Sequence, residues 1–98
     1  MSLRLSGGRK LQSPPGSTAR PTPARVRQAV MNMLNADLPG CSWLDLCCGS
    51  GVMACEAIQR GARRVVAVDQ DRRMAATARS NLSLVAAAQT PPAEVMVV

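Results

Sequence analysis

Histidine, phenylalanine and tyrosine do not occur in the 98-residue chain, and tryptophan occurs once. Without histidine, a zinc centre would rest on cysteine alone. The four cysteines, Cys41, Cys47, Cys48 and Cys55, form no C-x-x-C pair, and two of them are adjacent, a spacing that fits no common zinc site. They read as free thiols, small apolar groups suited to packing at a strand end, and that usage suits a reducing cytoplasm. With a single aromatic residue, a core has to be built from Val, Leu, Ala, Met and Cys. No apolar run approaches the roughly 18 residues of a membrane span. The first residues are basic without an apolar centre, so they do not read as a secretory signal. Acids are few as well: 6 against 12 Lys and Arg, a net charge of +6. Every basic residue but Lys10 is Arg, which binds phosphate in a planar, paired fashion and stacks on bases. A nucleic-acid partner is therefore favoured. The length allows at most one domain, one that buries a modest fraction of its surface and is marginal alone.

The most informative stretch runs from Trp43 through Leu44, Asp45, Leu46, Cys47, Cys48, Gly49 and Ser50 to Gly51. A short apolar run enters a turn of small residues and leaves into Val52, Cys55 and Ile58, with Gly61 closing the pattern. That predicts a strand, a tight turn and a helix. A second apolar run, Val65 to Val68, ends in Asp69. Together they predict one βαβ unit with a glycine turn after its first strand and an acid at the tip of its second. Such a unit suits a nucleoside. Glycines let a ligand approach the backbone, the helix start presents free N–H groups, and the acid can accept from two ribose hydroxyls. Gly49-x-Gly51-x-x-Ala54 matches the dinucleotide pattern, but Asp45 stands four residues before Gly49. A carboxylate there has little use beside a pyrophosphate. It has an obvious use beside a ligand that carries an ammonium and a sulfonium.

Around this unit the chain divides into a basic arm over residues 1–19 and a remainder over residues 20–98. Leu3 and Leu5, Gly7-Gly8, then Arg9, Lys10 and Leu11 predict a short hairpin. Pro14 to Thr18 predicts a loop. Thr22 as N-cap and Pro23 as first helical residue predict a helix reaching about Asn35. Its apolar face is read as Val26, Ala29 or Val30, Met33 and Leu34. Glu56 sits early in the next helix at an electrostatically reasonable position and is assigned no chemistry. Asp71 is placed as the cap of a helix from about Arg72 to Leu84, with Met74, Ala78, Leu82 and Val85 as its stripe. Glu94 to Val98 reads as a third strand.

The segment from Asp45 to Gly51 resembles motif I of the S-adenosylmethionine-dependent methyltransferases, with Cys47 at the place of that motif's first glycine. The Gly-Gly-Arg-Lys-Leu arm and Arg20-Pro21-Thr22, followed by the Arg25-x-Arg27 helix, resemble the parts that precede motif I in the RsmD-type branch. That branch methylates guanine N2 in small-subunit ribosomal RNA. The resemblance implies a Rossmann-like α/β fold, a three-layer αβα sandwich truncated here after the third of about seven strands. It implies S-adenosyl-L-methionine as cofactor, held by Asp45, Cys47, Gly49, Ser50, Gly51, Asp69 and Gln70. It implies ribosomal RNA or the small ribosomal subunit as partner, met by Arg9, Lys10, Arg20, Thr22, Arg25 and Arg27, in the cytoplasm and without a membrane. The family's catalytic Asp- or Asn-Pro-Pro-aromatic segment follows a fourth strand. Thr90-Pro91-Pro92 precedes the third strand and is followed by Ala93, so it does not stand in for that segment, and no catalytic residue is assigned. The chain by itself is expected to lack turnover, to bind cofactor weakly at best and to self-associate. Two other readings stay open: a nicotinamide-dependent oxidoreductase domain, and a non-catalytic RNA-binding module.

Overall fold

The structure is a computed structural model and describes residues 3–13 and 22–98. The elements run β1 (Leu3–Arg4), β2 (Lys10–Leu11), α1 (Ala24–Met33), β3 (Ser42–Leu46), α2 (Val52–Gln59), β4 (Arg64–Val68), α3 (Arg72–Ala87) and β5 (Glu94–Val97). β3, β4 and β5 form a parallel sheet in that spatial order, with Leu44 opposite Val66 and Val66 opposite Met96. Each crossover is one helix, the usual connection between parallel neighbours. β1 and β2 pair antiparallel, Leu3 with Leu11.

Strand periodicity decides which side chains meet the helices. Trp43, Val65, Ala67, Val95 and Val97 face one side and pack with Val52, Cys55 and Ile58 of α2 and with Ala78, Leu82 and Val85 of α3. Burying Ile58, Val65 or Leu82 from water is worth about 1.5–3 kcal/mol each. The other face carries Leu44, Leu46, Met96 and Val98, which keep 60–66% of their surface exposed. α2 and α3 therefore cover the same side, and among the described residues the sheet has two of the three layers of an αβα sandwich.

The arm belongs to this core. Leu3, Leu5 and Leu11 are buried in the same cluster as α2 and α3. The predicted hairpin is thus present, folded onto the helical layer. The stripe expected of α3 is buried as read, and Asp71 caps that helix by accepting from the N–H groups of Arg73 and Met74. The helix continues past Leu84 to Ala87.

α1 departs from expectation in two ways. Its N-cap is Pro23, with no side-chain cap bond, so Thr22 does not start the helix. Its buried residues are Arg27 and Met31, with Val30 and Leu34 beside them, whereas Val26 and Met33 are exposed. The helix is rolled so that Arg27 reaches an acid on α2 and Met31 joins Leu38, Ala57 and Ala62 in a second apolar cluster. Among the described residues no helix is long and apolar enough to cross a membrane.

Candidate functional site

The site is built at the carboxyl ends of β3 and β4. The Cys48 N–H donates to the Val68 carbonyl at 2.8 Å, carrying the pairing two residues past β3. Cys47 then takes φ +60°, the left-handed region, which costs a non-glycine residue of order 1–3 kcal/mol. This is the backbone reason that a glycine suits this place in the motif. Gly49 at φ +56° and Gly51 at φ +83° complete the turn, and α2 starts at Val52.

The two glycines serve different ends. A Cβ on Gly51 would stand 3.2 Å from the Ala78 Cβ and 3.3 Å from its Cα, so this glycine lets α3 close onto the turn. A Cβ on Gly49 would meet nothing within 4 Å. The space in front of Gly49 is open.

Asp69 holds the turn from across the sheet. Its Oδ2 accepts from the Gly49 N–H at 2.9 Å and its Oδ1 accepts from the Asp71 N–H at 2.8 Å. A carboxylate offers about four lone-pair positions, so both oxygens keep capacity for a further donor. The acid expected to face the ligand thus also shapes the turn. Gln70 beside it is exposed, and Ser50 is buried with its carbonyl turned toward α3.

Asp45 lies half-buried on β3, on the helix side, next to Ala67 in register. Its Oδ2 is buried and has no hydrogen-bond partner within the protein. Burial raises its carboxyl above the usual carboxylate range; the Ala54 backbone N–H opposes this, and the Asp69 charge adds to it. A buried carboxylate oxygen without a donor, on the strand that leads into the glycine turn, suits a cationic ligand group. Cys48 and Cys55 pack here as free thiols, pushed up to about 11 and about 12 chiefly by burial. Neither is a nucleophile near neutral pH. Cys47 is exposed at the rim. Among the described residues no group of three or more Cys, Asp or Glu side chains could hold a metal ion.

Two buried polar residues that tie the arm to the helical layer carry no motif. Glu56 accepts from the Ser6 N–H and hydroxyl, and its Oε2 lies 3.1 Å from the Arg27 Nε. Arg27 further donates to the carbonyls of Thr22 and Arg4. Expected as a phosphate contact, Arg27 is instead buried with its Nε and both terminal nitrogens engaged by protein oxygens, and it leaves the set of RNA-contacting residues. Asn81, on α3, bonds both the arm and the Ser50 carbonyl. A signal for each was present: Glu56 is the one charged residue in an otherwise apolar helix core, and Asn81 interrupts the stripe between Ala78 and Leu82.

Of the remaining basic residues, Lys10 and Arg25 are exposed and Arg9 is partly exposed; Thr22 is half-buried. Arg20 lies outside the described residues. Thr90 and Pro91 sit beside Gly40, Gly61 and Ala62, at the amino ends of the strands and the opposite end of the sheet from Gly49.

The family described as Conserved hypothetical protein 95 matches residues 5–97. The Bacillus subtilis (strain 168) candidate rRNA methyltransferase YlbH is 37% identical over 75 residues, covering 76% of this chain and 41% of its own. The Escherichia coli (strain K12) ribosomal RNA small subunit methyltransferase D is 34% identical over 85 residues, covering 83% and 43%. A solved Escherichia coli chain, the candidate methyltransferase yhhF, superposes with a TM-score of 0.81 at 29% identity, over 100% of this chain and 52% of its own. The chain spans about two-fifths of the length of the curated relatives it matches. With the Rossmann-like fold and the Asp45–Gly51 turn in place, this chain belongs to the Conserved hypothetical protein 95 family, the RsmD type of ribosomal RNA methyltransferases.

Proposed function

We propose that the chain forms the cofactor-binding part of an enzyme that moves a methyl group from S-adenosyl-L-methionine to the exocyclic N2 of a guanine in small-subunit ribosomal RNA, in the cytoplasm. The observation that carries this reading is Asp45 Oδ2, buried without a donor on the strand that leads into the glycine turn. A cofactor bearing an ammonium and a sulfonium supplies the donor and countercharge that a pyrophosphate would not. Asp45 would hold the amino-acid end, Gly49 would admit it against the backbone, and the free lone pairs of Asp69 would take the ribose hydroxyls. When bound, the cofactor supplies an electrophilic methyl group. An exocyclic amine is a weak nucleophile because its lone pair is delocalised, so the transfer depends on in-line positioning and on acceptors for its N–H groups as charge develops. The residues described here bind and orient.

Among the described residues, the RNA would be met by Arg9, Lys10, Thr22 and Arg25; Arg20 is assigned to the same role from the sequence alone. Each phosphate contact that is lost should lower the salt slope of RNA binding by about one unit.

The test is a titration followed at the backbone amides of Gly49, Ser50, Gly51 and Asp69. S-adenosylhomocysteine should shift these four amides and NADH should not. A preference for NADH, or millimolar S-adenosylhomocysteine that leaves all four unmoved, overturns the reading.

A further inference from the structure

Asn81 is 1% exposed and lies on the stripe of α3 that otherwise packs Ala78, Leu82 and Val85. An apolar side chain would satisfy that packing. The amide makes three hydrogen bonds instead. Its Oδ1 accepts from the Gln12 N–H at 2.8 Å, and its Nδ2 donates to the Gln12 carbonyl and to the Ser50 carbonyl, each at 3.0 Å. Both amide protons are used. The Gln12 pair matches one peptide with one side-chain amide, as one strand position matches another. The chain separation is large, 69 residues to Gln12 and 31 to Ser50.

The two ends of this clamp differ in kind. Gln12 directly follows β2, the strand that carries Lys10, and Leu11 beside it anchors the arm in the core. Ser50 is the centre of the Gly49–Gly51 turn. Gln12 is exposed, and water could serve its backbone groups. The fold brings them to Asn81 all the same.

We propose that Asn81 is a positioning residue that couples the arm to the glycine turn, so that seating of the arm sets how well the turn is formed for its ligand. Asn81 touches no reacting atom in this role; it acts through the Ser50 carbonyl. The proposal rests on the reading of the turn as the cofactor site. Coupling of this kind is reciprocal: RNA that seats the arm tightens cofactor binding, and cofactor tightens RNA binding by the same factor.

The test is amide hydrogen exchange on the 98-residue chain, with Gln12→Pro, Asn81→Ala and the double variant. Gln12→Pro deletes the N–H that Asn81 accepts, at an exposed position outside the turn. The reporters are the Gly49 and Gly51 amides, bonded to Asp69 and to the Cys48 carbonyl. The controls are sheet amides of β4 and β5. Gln12→Pro should speed exchange at Gly49 and Gly51 by about fivefold or more, the low end of measured site-to-site coupling, with the sheet unchanged. Adding it to Asn81→Ala should change nothing further. Turn exchange that stays at the wild-type rate in Gln12→Pro, or rises only in step with the sheet, overturns the proposal. If Asn81→Ala does not fold, Gln12→Pro decides alone. A parallel S-adenosylhomocysteine titration separates the two readings. Weaker binding in Gln12→Pro supports the coupling. Faster turn exchange in Gln12→Pro, together with a wild-type chain that binds no S-adenosylhomocysteine, leaves the clamp standing and overturns the cofactor assignment.

Discussion

The Arg27 Nε and the Glu56 Oε2 stand 3.1 Å apart with side-chain exposures of 6% and 1%, joining α1 to α2 across 29 residues of sequence. The same two side chains hold the arm, through Ser6 and the Arg4 carbonyl. An ion pair this deep has little net worth against apolar packing, but breaking one half of it is costly.

Glu56→Ala should therefore lower unfolding free energy by about 3–5 kcal/mol, because it strands the Arg27 charge. The double change Arg27→Met with Glu56→Leu should cost less than either single change. Urea denaturation measures all three. Equal or larger loss in the double variant would mean that the pair contributes net stability. Where the fold survives, Arg27→Ala should leave the salt slope of RNA binding as it is, since this guanidinium is turned inward.

Asp45 should make the chain less stable as pH rises. Burial raises its carboxyl above the ordinary 3.8, so the folded chain holds the proton more tightly than the unfolded chain. Stability then falls as pH climbs from about 3.8 through the raised folded value, and the full loss is present above it. Asp45→Asn removes that loss. It should be the more stable form at pH 7, by on the order of 0.5–2 kcal/mol, with the gap closing in acid. It should also bind S-adenosylhomocysteine less well. Thermal melts from pH 3 to 8 check the first claim; an Asn variant that melts at or below wild type at neutral pH would refute it.

Gly51 and Gly49 should separate stability from binding. Gly51→Ala combines a left-handed backbone with contacts at 3.2 and 3.3 Å to Ala78, so it meets both conformational strain and overpacking. Its expected cost is about 2–4 kcal/mol. Gly49→Ala meets no atom and should lose only about 1 kcal/mol to backbone strain. Its methyl group would occupy the open space before the turn, so ligand affinity should fall by more than stability does. Melts paired with the amide titration decide this, and the assignment of Gly49 to the ligand side fails if Gly49→Ala binds as wild type does.

The bare face of the sheet should drive association of this chain. Leu44, Leu46, Met96 and Val98 are 60–66% exposed on one surface, and one edge of β3 is unpaired among the described residues. Open edges and contiguous apolar patches both recruit partners. Light scattering should show a mass above one chain. Leu44→Lys with Leu46→Lys should return it to one chain; a wild-type monomer at the same concentration would show that the face tolerates water.

Local pattern was enough to read the order of strands and helices, the hairpin at Gly7-Gly8, the Asp71 cap and the stripe of α3. Each of these rests on neighbours within a few residues, through periodicity, capping or turn chemistry. The turn from Cys47 to Gly51 was legible for the same reason, because a tight turn between strand and helix selects its residues locally. Tertiary structure alone decided the rest. Counting apolar residues put Val26 and Met33 on the inner face of α1. The fold placed Arg27 and Met31 there instead, because Met31 fills the cluster with Leu38, Ala57 and Ala62, and because Glu56, once buried, is costly to leave without the Arg27 guanidinium. It also made Asp69 a brace of the turn as well as a candidate ligand, and it joined Gln12 to Ser50 through Asn81. A hydrogen bond is specified by two groups meeting in space, and the chain that brings them together here is 29 to 69 residues long, beyond the reach of any local pattern.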